Sequence, residues 1–217
     1  MIKHVLYRYT MVKLSVLLLI LVGCASSPPT RFYTLNSMAA SDATQQSTSE
    51  KREISIGIGP IEISDYLDRP QIVTGVGANE FRISEFDRWA GNVRHNISTV
   101  LAENMGDLLS TDKVYVYPWK QSVQINYRIE ATIIRFHGMS DNNVIMKTHW
   151  TILGEDGKKP LLFRLSNYSE QIDGKGYDAL IAAHSRVLAH LSRDITAALK
   201  TLVQKAQDSE KRMTIDD

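Results

Sequence analysis

Apolar and polar side chains alternate without a break from residue 123 to residue 133. The apolar positions are Val123, Ile125, Tyr127, Ile129, Ala131 and Ile133. A period of two predicts a β-strand with one apolar and one polar face. The apolar face must be buried against another layer, so this strand predicts a sheet that packs on further elements.

Further strands are predicted on both sides of this run. The stretch 54–63 alternates isoleucine with small residues, and residues 71–74 and 80–84 flank a Gly- and Asn-containing loop typical of a hairpin. Val114 and Val116 predict a short strand, which Trp119 could extend. Two longer strands are predicted at 143–153 and 161–170, with a turn at 154–157 between them.

Two segments change to a helical period. Residues 89–109 place apolar side chains on one face, and residues 178–205 do the same, with Asp178 as a possible N-terminal cap. His184 falls on the apolar stripe of the second helix and is interpreted as a buried core histidine. The sequence therefore predicts an α+β fold, a mostly antiparallel sheet with two amphipathic helices packed on one face, without a second domain.

The N-terminus has the pattern of an export signal. Lys3, Arg8 and Lys13 precede the apolar run 14–22, and Gly23 and Cys24 follow it. About 20 apolar residues are needed to span a bilayer, so this run is too short for a transmembrane helix. Residues 1–23 are predicted to be a signal peptide.

The four residues Leu21-Val22-Gly23-Cys24 resemble the lipobox of bacterial lipoproteins. The resemblance implies cleavage before Cys24, diacylglycerol on its thiol and further acylation such as palmitate. Cys24 is the only cysteine, so an intrachain disulfide is excluded. Ala25, rather than aspartate, follows it, which implies the outer membrane, with the protein facing the periplasm.

The remaining chain is predicted to contain three parts. Residues 24–52 form the lipidated cysteine and a flexible tether, residues 53–206 form the α+β domain, and residues 207–217 form a polar tail. The tether contains an apolar-aromatic island at 31–35, which either adds to a sheet edge or meets a partner; the sheet edge is favoured.

Composition and motifs argue against several functional classes. Without the signal peptide, 22 basic residues (25 less three) face 24 acidic ones, a net charge of −2 that does not suggest nucleic-acid binding. No two of the six histidines have the i, i+4 spacing of a helical metal site, and the GxSxG, P-loop and HExxH patterns are absent. We therefore expect no enzyme activity, no catalytic residue, no metal and no cofactor other than the lipid on Cys24.

Four further stretches, taken together, resemble the PqiC-type family of ABC-transport auxiliary lipoproteins. They are Arg31-Phe32-Tyr33-Thr34-Leu35, the ten residues 65–74, Glu85-Phe86-Asp87-Arg88-Trp89-Ala90 and Gly176-Tyr177-Asp178-Ala179-Leu180. The resemblance implies a non-enzymatic outer-membrane subunit that docks on an MCE-domain protein, supports inter-membrane lipid transport and envelope integrity, and can form homo-oligomeric rings.

The hairpin region is richer in aromatic residues than a solvated hairpin requires. The candidate partner-binding residues are Tyr66, Leu67, Arg69, Pro70, Phe86 and Trp89. Two interpretations stay open for them, a partner interface or simple cover for the edge of the core. The alternative function is a periplasmic carrier that holds lipid in an apolar cavity of its own.

Overall fold

The computed structural model describes residues 28–38 and 54–213, together with Arg8, Met11 and Lys13. It divides the chain into two compact units, Met1–Thr30 and Arg31–Asp217. Arg8, Met11 and Lys13 have helical backbone and exposed side chains. The rest of the predicted signal peptide, Cys24 and residues 39–53 lie outside the described residues. In the described part, no helix is both long enough and apolar enough to cross a membrane.

The second unit contains eight described strands in one mixed sheet. They are β1 (Arg31–Tyr33), β2 (Ile56–Ile63), β3 (Gln71–Gly75), β4 (Phe81–Trp89), β5 (Val114–Val116), β6 (Tyr127–Gly138), β7 (Asn143–Leu153) and β8 (Pro160–Gln171). The two longest ladders, β6 with β7 and β7 with β8, are antiparallel. The pairs β1–β4, β2–β5 and β2–β6 are parallel.

The sheet divides into two branches beside β6. β2 pairs with β6 from Tyr127 to Ile133, and β3 pairs with it at Gly138, while β7 pairs along the opposite edge. β5 continues the sheet beyond β2, and β4 and β1 continue it beyond β3. The chain between β2 and β3, residues 64–70, therefore lies between the two branches; we call it the fork loop.

Strand β6 begins later and ends later than the alternation predicts. Ser55 holds the preceding residues: its hydroxyl donates to the Gln124 carbonyl at 2.7 Å, and its amide donates to the Asn126 side-chain oxygen at 2.9 Å. These hydrogen bonds with Ser55 take the place of regular strand pairing at residues 124–126. A register shift between Ile133 and Arg135 then lets the strand continue to Gly138.

Two helices lie on the sheet, α1 (Val93–Leu109) and α2 (Gly176–Met213). The predicted start of α1 at Trp89 is wrong because Trp89 is still in β4; Asn92 caps the helix by accepting from the His95 amide at 2.9 Å. The predicted bounds of α2 are also wrong. It begins before Asp178, which lies in its first turn instead of capping it, and it continues through residues 207–213 of the predicted tail.

The core is formed between the helices and one face of the sheet. Its fully buried members come from both layers: Ile56, Ile58, Ile97, Leu101, Met105, Ile129, Ile133, Met146, Trp150, Ile152 and Leu188. Both helices contact strands of the sheet and each other. The α+β class and the common helical face are therefore confirmed, while the sheet is mixed because several of its short strands pair in parallel.

Residues 34–38 form a strap over the two helices. Leu35 is only 3% exposed and belongs to the core. The Leu35 amide donates to the Asn96 side chain at 2.8 Å, and the Met38 amide donates to the Asn104 side chain at 2.7 Å. Just before the strap, β1 pairs with β4. The sheet-edge interpretation of the 31–35 island is confirmed, and this part of the predicted tether belongs to the folded unit.

Replacing Asn104 by alanine should destabilise the protein by about 2 kcal/mol, because the half-buried Met38 amide loses its acceptor and the buried Ser192 hydroxyl loses a hydrogen bond. Urea unfolding of the two proteins measures the difference. Thr201→Ala is the control, since its hydroxyl bonds only the Ala197 carbonyl on an exposed part of α2. Equal effects of the two substitutions would contradict a specific role for Asn104.

Candidate docking surface

The six candidate partner-binding residues lie on two adjoining segments. Four are in the fork loop, and Phe86 and Trp89 are in the second half of β4. The loop is closed by the Leu67 amide, which donates to the Ser64 carbonyl at 2.8 Å, and it is joined to β4 by the Trp89 amide, which donates to the Pro70 carbonyl at 2.7 Å. The fold thus brings the predicted residues into one region.

Two of the six are core residues. Leu67 is 7% exposed and Trp89 is 8% exposed. The Trp89 ring packs edge-to-face on His184, with ring centres 5.9 Å apart. Between these side chains and Phe136 there is a void of only about 10 Å³. Leu67 and Trp89 therefore cover the core edge and fix the backbone beneath their neighbours.

Tyr66 belongs to an aromatic cluster with Phe81 and His137. Its ring stacks on Phe81 with centres 4.7 Å apart, and Phe81 meets the His137 ring edge-on at 5.1 Å. The Tyr66 hydroxyl lies 3.2 Å from the Ile134 carbonyl and 3.1 Å from His137 Nδ1. These contacts bind the fork loop to β6.

Burial determines the protonation of this cluster. Burial lowers the pKa of His137, and the nearby Arg135 lowers it further. Burial also raises the pKa of the Tyr66 hydroxyl. Both groups are consequently neutral near pH 7, and the hydroxyl donates either to the Ile134 carbonyl or to a neutral imidazole.

Two arginines beside the loop have half-buried side chains with an unused donor. The Nε atoms of Arg69 and Arg88 are shielded from solvent and have no acceptor among the described residues. Gln71 is the cross-strand neighbour of Arg88, which brings the two arginine-bearing segments together. The Nε atoms of Arg94 and Arg128 are in the same state, although another nitrogen of Arg94 forms an ion pair with Asp68. Both arginine side chains are partly exposed, whereas their Nε atoms are closed to solvent.

Exposed apolar residues extend this region beyond the six candidates. Phe81 is 42% exposed and Ile83 is 48% exposed, although both are in the hairpin. Neither residue is among the six candidate partner-binding residues. Alternation at 81–83 places Phe81 and Ile83 on one face of the hairpin but predicts that this apolar face is buried, so it could not have indicated their exposure.

The surface grooves of the described part include two of several hundred Å³. One has a volume of about 740 Å³ and a mixed lining, with Glu155, Lys200 and Gln204 beside Ile54, Leu161 and Val203. The other measures about 460 Å³ and is lined by Arg82 and Lys175 together with Val76, Met139, Ile172 and Leu180. Within the described ranges, no three His, Cys, Asp or Glu side chains are placed to hold a metal ion.

Comparison with known proteins gives one family. The sequence model of a family described as an ABC-type transport auxiliary lipoprotein component matches residues 33–196. That description is of a transport component and not of an enzyme. No curated protein matches the chain.

Two solved structures share the fold. The crystal structure of an uncharacterized protein has a TM-score of 0.65 at 17% identity and covers 79% of this chain and 99% of its own. A Xanthomonas campestris protein of the family DUF330 has a TM-score of 0.61 at 13% identity and covers 86% of this chain and 99% of its own. At these identities the similarity concerns the fold alone.

Proposed function

We infer that the protein is a non-enzymatic docking subunit of an MCE-type lipid transport system. The premise is that the chain belongs to the ABC-type transport auxiliary lipoprotein family. Its lipid, carried on Cys24, anchors it to the periplasmic face of the outer membrane. The fork loop and β4 bind an MCE-domain protein there. Through this contact the protein supports inter-membrane lipid transport and the integrity of the envelope.

The observation that carries the docking proposal is the position of two partly exposed arginines, Arg69 and Arg88, beside the aromatic residues of the fork loop. Their Nε atoms are closed to solvent, so a partner carboxylate would bind the Nη groups through charge-assisted hydrogen bonds. Arginine and aromatic residues are enriched at the centres of interfaces, and Arg69 and Arg88 lie in the same region as Tyr66 and Phe81. We propose that acidic side chains of the partner bind these arginines.

The second candidate, a carrier with its own lipid cavity, has less support. A lipid acyl chain needs an apolar pocket of several hundred Å³. The 740 Å³ groove has a mixed polar and apolar lining, and the void at Leu67 is about 10 Å³. The 460 Å³ groove is more apolar, with Met139, Ile172 and Leu180 in its lining, but it is a groove open to solvent and not an enclosed cavity. Native mass spectrometry of the purified protein tests this alternative, because a carrier would retain a non-covalent lipid and a docking subunit would not.

Self-association is part of the proposal. Rings of identical copies would place several fork loops around one partner and increase the binding through multivalency. Light scattering of the detergent-solubilised lipoprotein tests this, since a monomeric mass at micromolar concentration would contradict it.

The docking proposal is tested by crosslinking in living cells. Full-length protein with a C-terminal tag should recover an MCE-domain protein from the outer-membrane fraction. The double variant Arg69→Ala, Arg88→Ala should recover it at least about tenfold less, because two charge-assisted contacts are lost. Replacing Arg69 by lysine instead of alanine should restore little of the partner recovery, since lysine cannot reproduce bidentate binding.

The double variant Lys158→Ala, Lys159→Ala is the matched control. It also removes two positive charges, from an exposed turn between β7 and β8. Thermal unfolding of the purified variants shows whether each is folded. If the folded double variant recovered as much partner as the control, the docking assignment would be wrong.

A further inference from the structure

The sheet ends on one side in a long edge strand. Among the described residues, β8 pairs with β7 alone, so the other side of this 12-residue strand presents backbone N–H and C=O groups without a partner strand. The strands at the other ends of the sheet, β1 and β5, have only 3 residues each. A free edge as long as β8 is a template for pairing with a further strand.

β8 lacks the features that normally protect an edge from association. Its ladder with β7 runs from Leu162 to Gln171 without a register shift, so no bulge twists this part of the edge away. Proline occurs only at its first residue, Pro160, and the strand contains no lysine. Instead, two large apolar side chains are exposed on it, Phe163 at 61% and Leu165 at 50%. Natural edge strands usually carry lysine, proline or bulges at such positions.

The exposed pair lies on the face of the sheet that has no helices. The Tyr168 hydroxyl donates to Asp194 of α2 at 2.8 Å, so Tyr168 points to the helical side. Successive side chains of a strand point to opposite faces, and Phe163 and Leu165 are an odd number of positions from Tyr168. Both therefore point outwards, where the Phe163 ring meets His149 of β7 edge-on with ring centres 5.5 Å apart.

Contacts within the chain already hold β8 in place. The Ser166 hydroxyl accepts from the buried Trp150 Nε1 at 3.0 Å. The Glu170 carboxylate binds two side chains of α2, Arg186 through Nε at 3.1 Å and His190 through Nε2 at 2.8 Å. A strand that is ordered in this way loses little conformational entropy when a further strand is added.

The outer face of β8 carries no charge that would repel a second copy. The charged residues of the strand are Arg164 and Glu170, and both lie on the helical side. The Arg164 guanidinium lies over the Trp150 ring of its own chain, 5.7 Å from the ring centre, and Glu170 is paired with Arg186. Because like charges directly opposite each other destabilise a strand pair, an uncharged outer face suits pairing with an identical strand.

We propose that β8 pairs antiparallel with β8 of a second copy, about a two-fold axis at Leu165. In this register Leu165 lies opposite its equivalent, and Phe163 lies diagonally beside it, so the two copies bring four apolar side chains together. The register pairs residues 160–170 of each copy, which is nearly the whole strand. A register centred on Arg164 would instead place two arginines directly opposite each other.

The inference rests on the self-association of the proposed function and names the surface that joins two copies. A two-fold contact uses the same patch on both subunits and closes on itself, so copies associate in pairs through β8. β4 lies beyond β3, on the opposite side of β6 from β7 and β8. The docking surface at the fork loop and β4 is therefore separate from this contact.

Disulfide crosslinking of the full-length lipoprotein in isolated membranes tests the contact. The proposed lipid occupies the thiol of Cys24, so an added cysteine is the only one that can be oxidised. Leu165→Cys places two thiols opposite each other, with about 4.5–5.5 Å between their Cβ atoms, which a disulfide can bridge after a small adjustment. Ser169→Cys is the matched control. It is exposed on the same face, but it would lie about 27 Å along the strand from its equivalent.

Oxidation should give at least about tenfold more dimer with Leu165→Cys than with Ser169→Cys. Equal dimer formation by the two variants, or none by Leu165→Cys, overturns the proposal. Protection of the cysteine at 165 from a maleimide without dimer formation would assign the edge to a different chain and would also overturn it. A disulfide dimer of the wild-type chain would instead reveal a free Cys24 thiol and contradict the lipid anchor, and the comparison is then made in a Cys24→Ser background.

A charged variant gives a second measurement. Leu165→Lys places two ammonium groups opposite each other and should lower the dimeric fraction of the detergent-solubilised lipoprotein at least about fivefold in light scattering. Thr201→Lys adds the same charge at an exposed position of α2 and should leave that fraction unchanged. Oligomers that persist in folded Leu165→Lys would keep the self-association of the proposed function but overturn its assignment to β8.

Discussion

Cys24→Ser is expected to move the protein from the membrane fraction to the soluble periplasmic fraction almost completely. The lipid would be the main attachment, because several acyl chains bind a bilayer far more strongly than side chains at a surface. No other cysteine can take its place. Fractionation and metabolic labelling with palmitate measure the two consequences, loss of membrane association and loss of label.

Ala25→Asp is the informative companion variant. It keeps the cysteine and its lipid, so the protein should still be labelled and membrane-bound. Its sorting should change from the outer to the inner membrane, because the lipobox resemblance implies that position 25 directs that step. Membrane association of Cys24→Ser equal to that of the wild type would rule out the lipid anchor.

The second large effect concerns pH. Burial lowers the pKa of His184 to about 4. The hydrogen bond between its Nδ1 and the Leu180 carbonyl, 2.8 Å away, acts in the opposite direction but is outweighed by burial. In the unfolded chain the same group titrates near 6.5. Between these values the unfolded chain binds a proton that the native protein does not.

Stability from this group is therefore fully present above pH 6.5 and falls as the pH decreases towards 4. The loss amounts to about 3 kcal/mol. His184→Leu should remove this component, so urea unfolding at pH 7 and pH 4 should show a smaller difference for the variant than for the wild type. His137, whose pKa is also lowered, is present in both proteins and cancels in the comparison.

His95→Leu is the control for a general effect of losing a histidine, since His95 is exposed on α1. The decisive quantity is the difference in the free energy of unfolding between pH 7 and pH 4, not the free energy at either pH. Parallel curves for wild type and His184→Leu would contradict the prediction, because they would show that the pKa of His184 is the same in the folded and unfolded protein.

Elements with a clear period were predictable, but only some of their ends were. The alternation at 143–153 corresponds to β7 with the same bounds. The alternation at 123–133 was misleading at its start, because Ser55, distant in sequence, bonds residues 124 and 126. The end of α2 was also missed, since a polar sequence after Lys205 says little about a helix that continues outward from a buried part.

The mixed sheet could not be predicted from the strands alone. Period identifies strands but not their neighbours, and the division beside β6 depends on pairings between distant segments. The candidate site had a similar limit. Family resemblance selected Tyr66 and Arg69, whereas the exposure of Phe81 and the shielding of the Arg88 Nε depend on packing around the fork loop.

The parallel pairing of β1 with β4 has a mechanical consequence. A pull on the proposed anchor enters the domain at Arg31 and acts along the strand, so the β1–β4 hydrogen bonds and the Arg31–Asp87 ion pair are loaded together in shear. Bonds loaded in parallel break less readily than bonds opened one after another. Behind them, the strap resists with the buried Leu35 side chain. The proposed anchor and the proposed docking contact would together put the domain under tension, and this arrangement of strand and strap opposes such a load.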